Sequence, residues 1–264
     1  MVMPNQSGYT VGGSIAWVTA ESDDLLEGAQ KVANDWGLPF KENIEKGFVL
    51  IKTAQRLELR LIDGSKTGPV FVDFASDALT YRRAHGGGLK KEAIARAIGV
   101  KGNDAPSVVD ATAGLGRDGF ILASLGCKVT LLERSPVVAA LLQDGLERAQ
   151  QDPTLGSWLP DRLSLRHGVS IELMQQWQDE KPDAVYLDPM FPHKKKSALV
   201  KKEMRLFQQL LGSDSDADLL LEPALGIASK RVVVKRPADA PFLANQKPNM
   251  NISSKKHRFD VYLR

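Results

Sequence analysis

At 264 residues the chain is long enough for one large domain or for a domain with an appendage, and it can bury a core without covalent staples. Its single cysteine, Cys127, excludes an internal disulfide and points to a reducing compartment; it falls in an apolar strand pattern and reads as core. Net charge is only +3, from 35 basic and 32 acidic residues, so the total excludes neither acidic nor basic partners. Residues 1–10 lack the basic start and apolar run of a signal peptide, and no apolar run is long enough to span a bilayer; a soluble, cytoplasmic protein is expected.

Residues 1–80 read as a small α+β domain. Residues 14–19 are apolar, and residues 23–36 carry a helical pattern with Ser22 as a candidate cap. Residues 48–51 and 57–62 read as strands, Asp63-Gly64 as a turn, and residues 70–74 as a further strand. A loop with Gly86-Gly-Gly88 leads into a helix over residues 89–98, and the second domain, residues 81–264, then alternates. Strands are expected at 107–111, 128–132, 162–167, 184–187, 231–235 and 259–263, with helices at 117–125, 135–150, 170–178, 199–211 and 217–227. Such alternation predicts an α/β fold with a parallel sheet and helices on both faces. Ligands of these sheets sit beyond the carboxyl ends of the strands, where Asp110, Glu133, His167 and Asp188 all fall.

The segment Val108-Val-Asp-Ala-Thr-Ala-Gly-Leu-Gly-Arg-Asp-Gly119 is a strand, a glycine-rich turn and the start of a helix. Gly114, Gly116 and Gly119 satisfy G-x-G-x-x-G, and Glu133 ends the next strand where a ribose-binding acid belongs. Taken alone, this pattern permits a nicotinamide oxidoreductase. The flanks oppose that: Asp110 and Asp118 repel a pyrophosphate, whereas they suit the ammonium and sulfonium of S-adenosyl-L-methionine. Asp-x-Thr-Ala-Gly-x-Gly, with Asp110, Thr112, Gly114 and Gly116, resembles the first motif of class I methyltransferases.

Asp188-Pro-Met-Phe191 resembles the (Asp/Asn)-Pro-Pro-(Tyr/Phe) motif of methyltransferases that modify an amine conjugated to a π-system. Such an amine has its lone pair drawn into the ring. Asp188 and the Pro189 carbonyl, accepting its N–H protons, favour the pyramidal form and return the lone pair to nitrogen. Phe191 would stack on a base turned out of its helix. The motif departs from the usual pattern at Met190, where proline is commoner. Lys194, Lys195, Lys196, Lys201, Lys202 and Arg205 follow, a basic run suited to a phosphate backbone.

The tracts 110–118, 132–136, 186–194 and 196–205 together resemble the bacterial ribosomal RNA small subunit methyltransferase J family. That resemblance runs from about Arg82 to the C-terminus. It implies a class I, Rossmann-like fold, S-adenosyl-L-methionine as cofactor, no metal, and methyl transfer to the N2 amine of a guanine in 16S rRNA or the small ribosomal subunit. It also implies no membrane and no stable protein partner. Carried over by position, Arg117, Asp118, Glu133, Arg134, Val169, Ser170 and Asp188 match the family's cofactor-binding residues. Arg134 either holds the cofactor or covers the sheet edge. His167 and His193 are not expected to be essential, because the amine's proton can leave to water. Adenine N6, a protein side-chain amide, and an inactive RNA-binding scaffold are the alternatives.

Overall fold

The computed structural model describes residues 16–65, 67–76, 92–101, 104–190, 206, 209–212, 214–254 and 257–264. The chain forms two compact units, one of residues 1–72, 135–145 and 193–213, the other of residues 73–134, 146–192 and 214–264.

In the first unit, β1 (Ala16–Ala20) pairs parallel with β2 (Gly47–Lys52), and β2 pairs antiparallel with β3 (Leu57–Ile62). Helix α1 (Leu26–Trp36) crosses between the parallel strands and buries Ala29 and Ala33. Gly37 ends it in the left-handed conformation that a Cβ would oppose. Two expectations fail here. Ser22 is extended and precedes a short 3₁₀ turn, but its side chain makes no capping bond; its carbonyl accepts the Leu25 N–H instead. Residues 70–74 form no strand. Val70 makes one bridge to Leu59, while Val72 and Phe74 are buried without a ladder. Their alternation records which side chains are buried, and burial does not require backbone pairing.

The second unit opens with α2 (Ala93–Ile98), which is short and caps on Gly99. There follow β4 (Val108–Asp110), α3 (Arg117–Ser124), β5 (Val129–Glu133), α4 (Pro136–Gln151, whose residues up to Gly145 belong to the first unit), α5 (Leu159–Arg162), β6 (Leu163–His167), α6 (Ser170–Gln175) and β7 (Ala184–Leu187). After β7 come α7 (Leu221–Ile227), β8 (Arg231–Pro237), β9 (Met250–Ser253) and β10 (His257–Leu263). Of the helix expected over residues 199–211, only 206 and 209–211 are described, and these are helical. The expected start of the helix over 89–98, and Gly86–Gly88, lie outside the described residues.

The sheet has seven strands in the order β6-β5-β4-β7-β8-β10-β9. Strands β4 to β8 run parallel, but β10 is antiparallel to both its neighbours, so the sheet is mixed rather than parallel throughout. No α-helix separates β8 from β10 among the described residues, and without a crossover the chain can return only antiparallel. Both faces are covered. Val109, Val185, Leu187, Val232 and Val234 pack with Met174 of α6 and with Leu221, Ala224 and Ile227 of α7. The alternate side chains face the other way, where Gly119 of α3 sits against Leu131 and Val129. Burial on both sides explains why β7 and the middle of β8 are apolar runs rather than alternating ones. Cys127 is fully buried, and burial pushes its thiol up to about 12, which leaves it inert.

Candidate active site

Strand order reverses at β4. The chain passes from β4 to β5 on one side and later places β7 on the other, which opens a crevice at the carboxyl ends of these strands. Every acid expected from the sequence lies at its rim. Asp110 ends β4, Glu133 ends β5 opposite His167 of β6, and Asp188 directly follows β7.

The glycine turn crosses this crevice. Gly114 and Gly116 have φ of 53° and 69°, a region that L side chains rarely adopt, and a Cβ on Gly114 would meet nothing within 4 Å. The turn thus presents bare backbone to open space. Glu133 Oε2 accepts the Gly114 N–H at 3.1 Å, which ties the buried acid to the turn. Gly119 plays the third glycine's part, bringing α3 onto Leu131. Arg117 is exposed at the start of α3. Val169 is exposed and Ser170 buried where α6 begins, beyond the end of β6; the Gly168 N–H donates to the Glu133 carbonyl at 2.9 Å and joins these strand ends.

Between β4, β7 and α3 lies a cluster of charge. Asp110 is buried, accepts the Thr112 N–H at 3.2 Å, and burial with the nearby negative Asp118 and Asp188 pushes it up to about 8. Thr112 Oγ1 accepts the Asp188 N–H at 2.6 Å. Lys235, the residue after the three buried valines of β8, donates to Asp188 Oδ2 at 2.8 Å and to Asp118 Oδ2 at 2.9 Å. The hydroxyl of Tyr186 also donates to Asp118 Oδ2, at 2.8 Å. Burial raises Asp188 above the usual carboxylate range while Lys235 opposes it. Burial alone would lower the Lys235 ammonium, but Asp188 and Asp118 together outweigh it and hold it raised.

A second constellation surrounds the turn after Asp188. Arg134 pairs with Asp214 and with Asp216, the latter at 2.9 Å. Asp214 Oδ2 also accepts the Met190 N–H at 2.6 Å. A proline at position 190 has no such hydrogen to give, so the departure from the commoner motif is used here as a hydrogen bond. Phe191, His193, Lys194, Lys195, Lys196, Lys201, Lys202 and Arg205 lie outside the described residues.

Lys235, Tyr186, Asp214 and Asp216 were not read as site residues from the sequence. A lysine that immediately follows three apolar residues of a central strand was the available signal for the first. Among the described residues no group of three or more His, Cys, Asp or Glu side chains is arranged to hold a metal ion.

A seven-stranded sheet with an antiparallel strand inserted next to the edge, bare glycine backbone beside a buried acid, and carboxylates rather than phosphate-binding groups at the switch point define a class I S-adenosyl-L-methionine-dependent methyltransferase. The residues fit that cofactor: acids for its ammonium and its ribose hydroxyls, and open space over the glycine turn. Comparison with known proteins agrees. A family model described as "Putative SAM-dependent methyltransferase" matches residues 31–264. The chain is 61% identical over 246 residues to ribosomal RNA small subunit methyltransferase J of Pseudoalteromonas atlantica, covering 92% of this chain and 95% of that one. It is 56% identical over 248 residues to the protein of the same name from Photobacterium profundum, covering 92% and 96%. A crystal structure of a SAM-dependent methyltransferase from Neisseria gonorrhoeae superposes with a TM-score of 0.74 at 40% identity, covering 94% of this chain and 95% of that one. The chain belongs to the ribosomal RNA small subunit methyltransferase J family.

Proposed function

We propose that the protein methylates the exocyclic N2 amine of a guanine in 16S rRNA of the small ribosomal subunit, in the cytoplasm. The observation that carries this reading is the Asp188 carboxylate. Its backbone N–H is held by Thr112 and its Oδ2 by Lys235, while among the described residues Oδ1 has no hydrogen-bond partner. An acceptor with one oxygen fixed and one available is what a conjugated amine needs. Oδ1 and the Pro189 carbonyl accept hydrogen bonds from the two N–H groups and pyramidalise the nitrogen; after methyl transfer to nitrogen, the one surplus proton leaves through Oδ1 to water. Phe191 stacks on the base. Lys194, Lys195, Lys196, Lys201, Lys202 and Arg205 hold the RNA backbone.

S-adenosyl-L-methionine, when bound, supplies an electrophilic methyl on sulfur. Asp110, Thr112, Asp118 and Asp188 would hold its ammonium end, Glu133 its ribose, and Val169 with Ser170 its adenine. Gly114, Gly116 and Arg117 would line its path, and Arg134 would act at its edge. The reading takes residues 81–264 as the catalytic domain and residues 1–80 as an appendage that helps to dock RNA. The test is to map tritiated methyl groups on rRNA from a strain lacking the gene, after incubation with wild-type protein or Asp188→Ala. One labelled guanine N2 with wild type and none with the variant is expected. Label on another base or on protein, or full label with Asp188→Ala, would overturn it.

A further inference from the structure

We propose that Lys235 is a positioning residue of the methyl-transfer site, whose ammonium locks Asp188 and Asp118 into one charged, oriented unit; this rests on Asp188 being the amine acceptor. The geometry is a chain of donors and acceptors across three elements. Tyr186 of β7 and Lys235 of β8 both donate to Asp118 Oδ2 of α3, and Lys235 continues to Asp188 Oδ2 at the end of β7. Strand register sets this up. Leu187 lies opposite Val234, so the next residue of each strand, Asp188 and Lys235, emerge side by side. Lys235 is largely shielded from water, with 20% of its side chain exposed, so its charge is weakly screened.

Among the described residues, the other groups that act on Asp188 are negative or neutral: Asp110 of β4, Asp118 of α3, Tyr186 of β7 and Asp214 beyond the turn. Crowded carboxylates do not all ionise, and a protonated Asp188 would donate to the target amine where it must accept. Lys235 also decides which oxygen is used. By occupying Oδ2 it leaves Oδ1 as the acceptor and removes the freedom of the carboxyl group to turn. Its own charge stays put throughout, because the two acids beside it hold the proton on Nζ. Lys235 therefore acts through Asp188 and Asp118 without exchanging a proton.

The experiment compares wild type with Lys235→Met, Lys235→Arg and Asp188→Ala. Carbon-13 NMR of aspartate side chains in the cofactor-free protein follows the titration of Asp188, and methyl transfer to rRNA is followed against pH. Lys235→Met should move the Asp188 titration, and the acid limb of kcat, to higher pH. It should lower kcat on the order of 10–100-fold, the usual loss when the partner that orients a reacting group is removed. KM for RNA should be unchanged. Lys235→Arg, which keeps the charge, should restore the titration and much of the rate. If Lys235→Met folds and titrates as wild type does, Lys235 is a surface-covering group and the proposal fails, even with Asp188→Ala inactive. If Asp188→Ala is itself active, the reading of the site fails first. Should Lys235→Met not fold, a Lys235→Arg protein with an unshifted titration supports the role, and a shifted one overturns it.

Discussion

Replacing Gly119 by alanine is a sensitive probe of how α3 is seated. The new Cβ would fall 2.5 Å from Leu131 Cδ2, 3.5 Å from Val129 Cγ1 and 3.5 Å from Asp110 Oδ2. Carbon atoms rest at about 3.5–4.0 Å, so Leu131 would have to retreat by ~1 Å or more. Leu131 has no exposure and sits in the middle of the sheet, so it has nowhere to go without displacing its neighbours. Overpacking of this kind costs about 1–3 kcal/mol. Alanine recovers at most ~1 kcal/mol of helix propensity over glycine. A 2.5 Å contact against a side chain that cannot yield belongs in the upper part of that range, about 2–3 kcal/mol, so the net loss is about 1–2 kcal/mol, or a fall of roughly 2–8 °C in Tm at ~2–4 °C per kcal/mol for a domain of this size. The control is Gly226→Ala in α7, where a Cβ meets nothing within 4 Å. There the same change should stabilise by about 0.4–1 kcal/mol. Thermal unfolding followed by circular dichroism reads both. Equal stability of Gly119→Ala and wild type, or a loss at Gly226 as large as at Gly119, would refute the packing argument.

The remaining expectations concern the charged cluster and the turn. Asp110 binds its proton more tightly folded than unfolded, so its contribution is complete below about pH 4 and is lost as pH rises toward about 8. Urea unfolding of the cofactor-free protein should show that decline, and Asp110→Asn should flatten it; an unchanged slope would sink the assignment. Met190→Pro restores the commoner motif yet should destabilise by ~1 kcal/mol. The lost bond to an ionised acceptor contributes about 1.5–3 kcal/mol, against ~0.5–1 kcal/mol gained from proline's rigidity. A more stable Met190→Pro protein would contradict that balance. Lys195→Glu with Lys201→Glu should weaken RNA binding and flatten its dependence on salt, measured by filter binding at two ionic strengths; unaltered affinity at both would remove these lysines from the interface.

Elements whose pattern is local were legible. Residues 184–187 were read with their observed bounds because an apolar run stops at Asp-Pro, and Asp110 and Glu133 were placed at strand ends because the glycine turn marks where β4 stops. Strand order and direction were not legible, since β10 differs from its parallel neighbours only in how the chain reaches it. The exposed edge strand β9 went unseen because it has almost no buried face to create alternation. Lys235 is 47 positions from Asp188 and 117 from Asp118. Nothing local in a row of valines ending in lysine names two acids so far away. Residue identity pointed the acids to a cationic ligand, and only register brought a lysine beside them.

The bond between Met190 and Asp214 closes a stretch of chain 24 positions long at its neck, and the same carboxylate grips Arg134 at the end of β5. Two residues far apart in the chain are thereby pinned to each other next to Asp188, the residue on which the chemistry turns. Since doubling the length of a closed loop adds only about 0.6 kcal/mol, the cost of that closure depends little on how many residues separate its ends. The clasp at the mouth of the turn thus holds whatever the span of chain it closes.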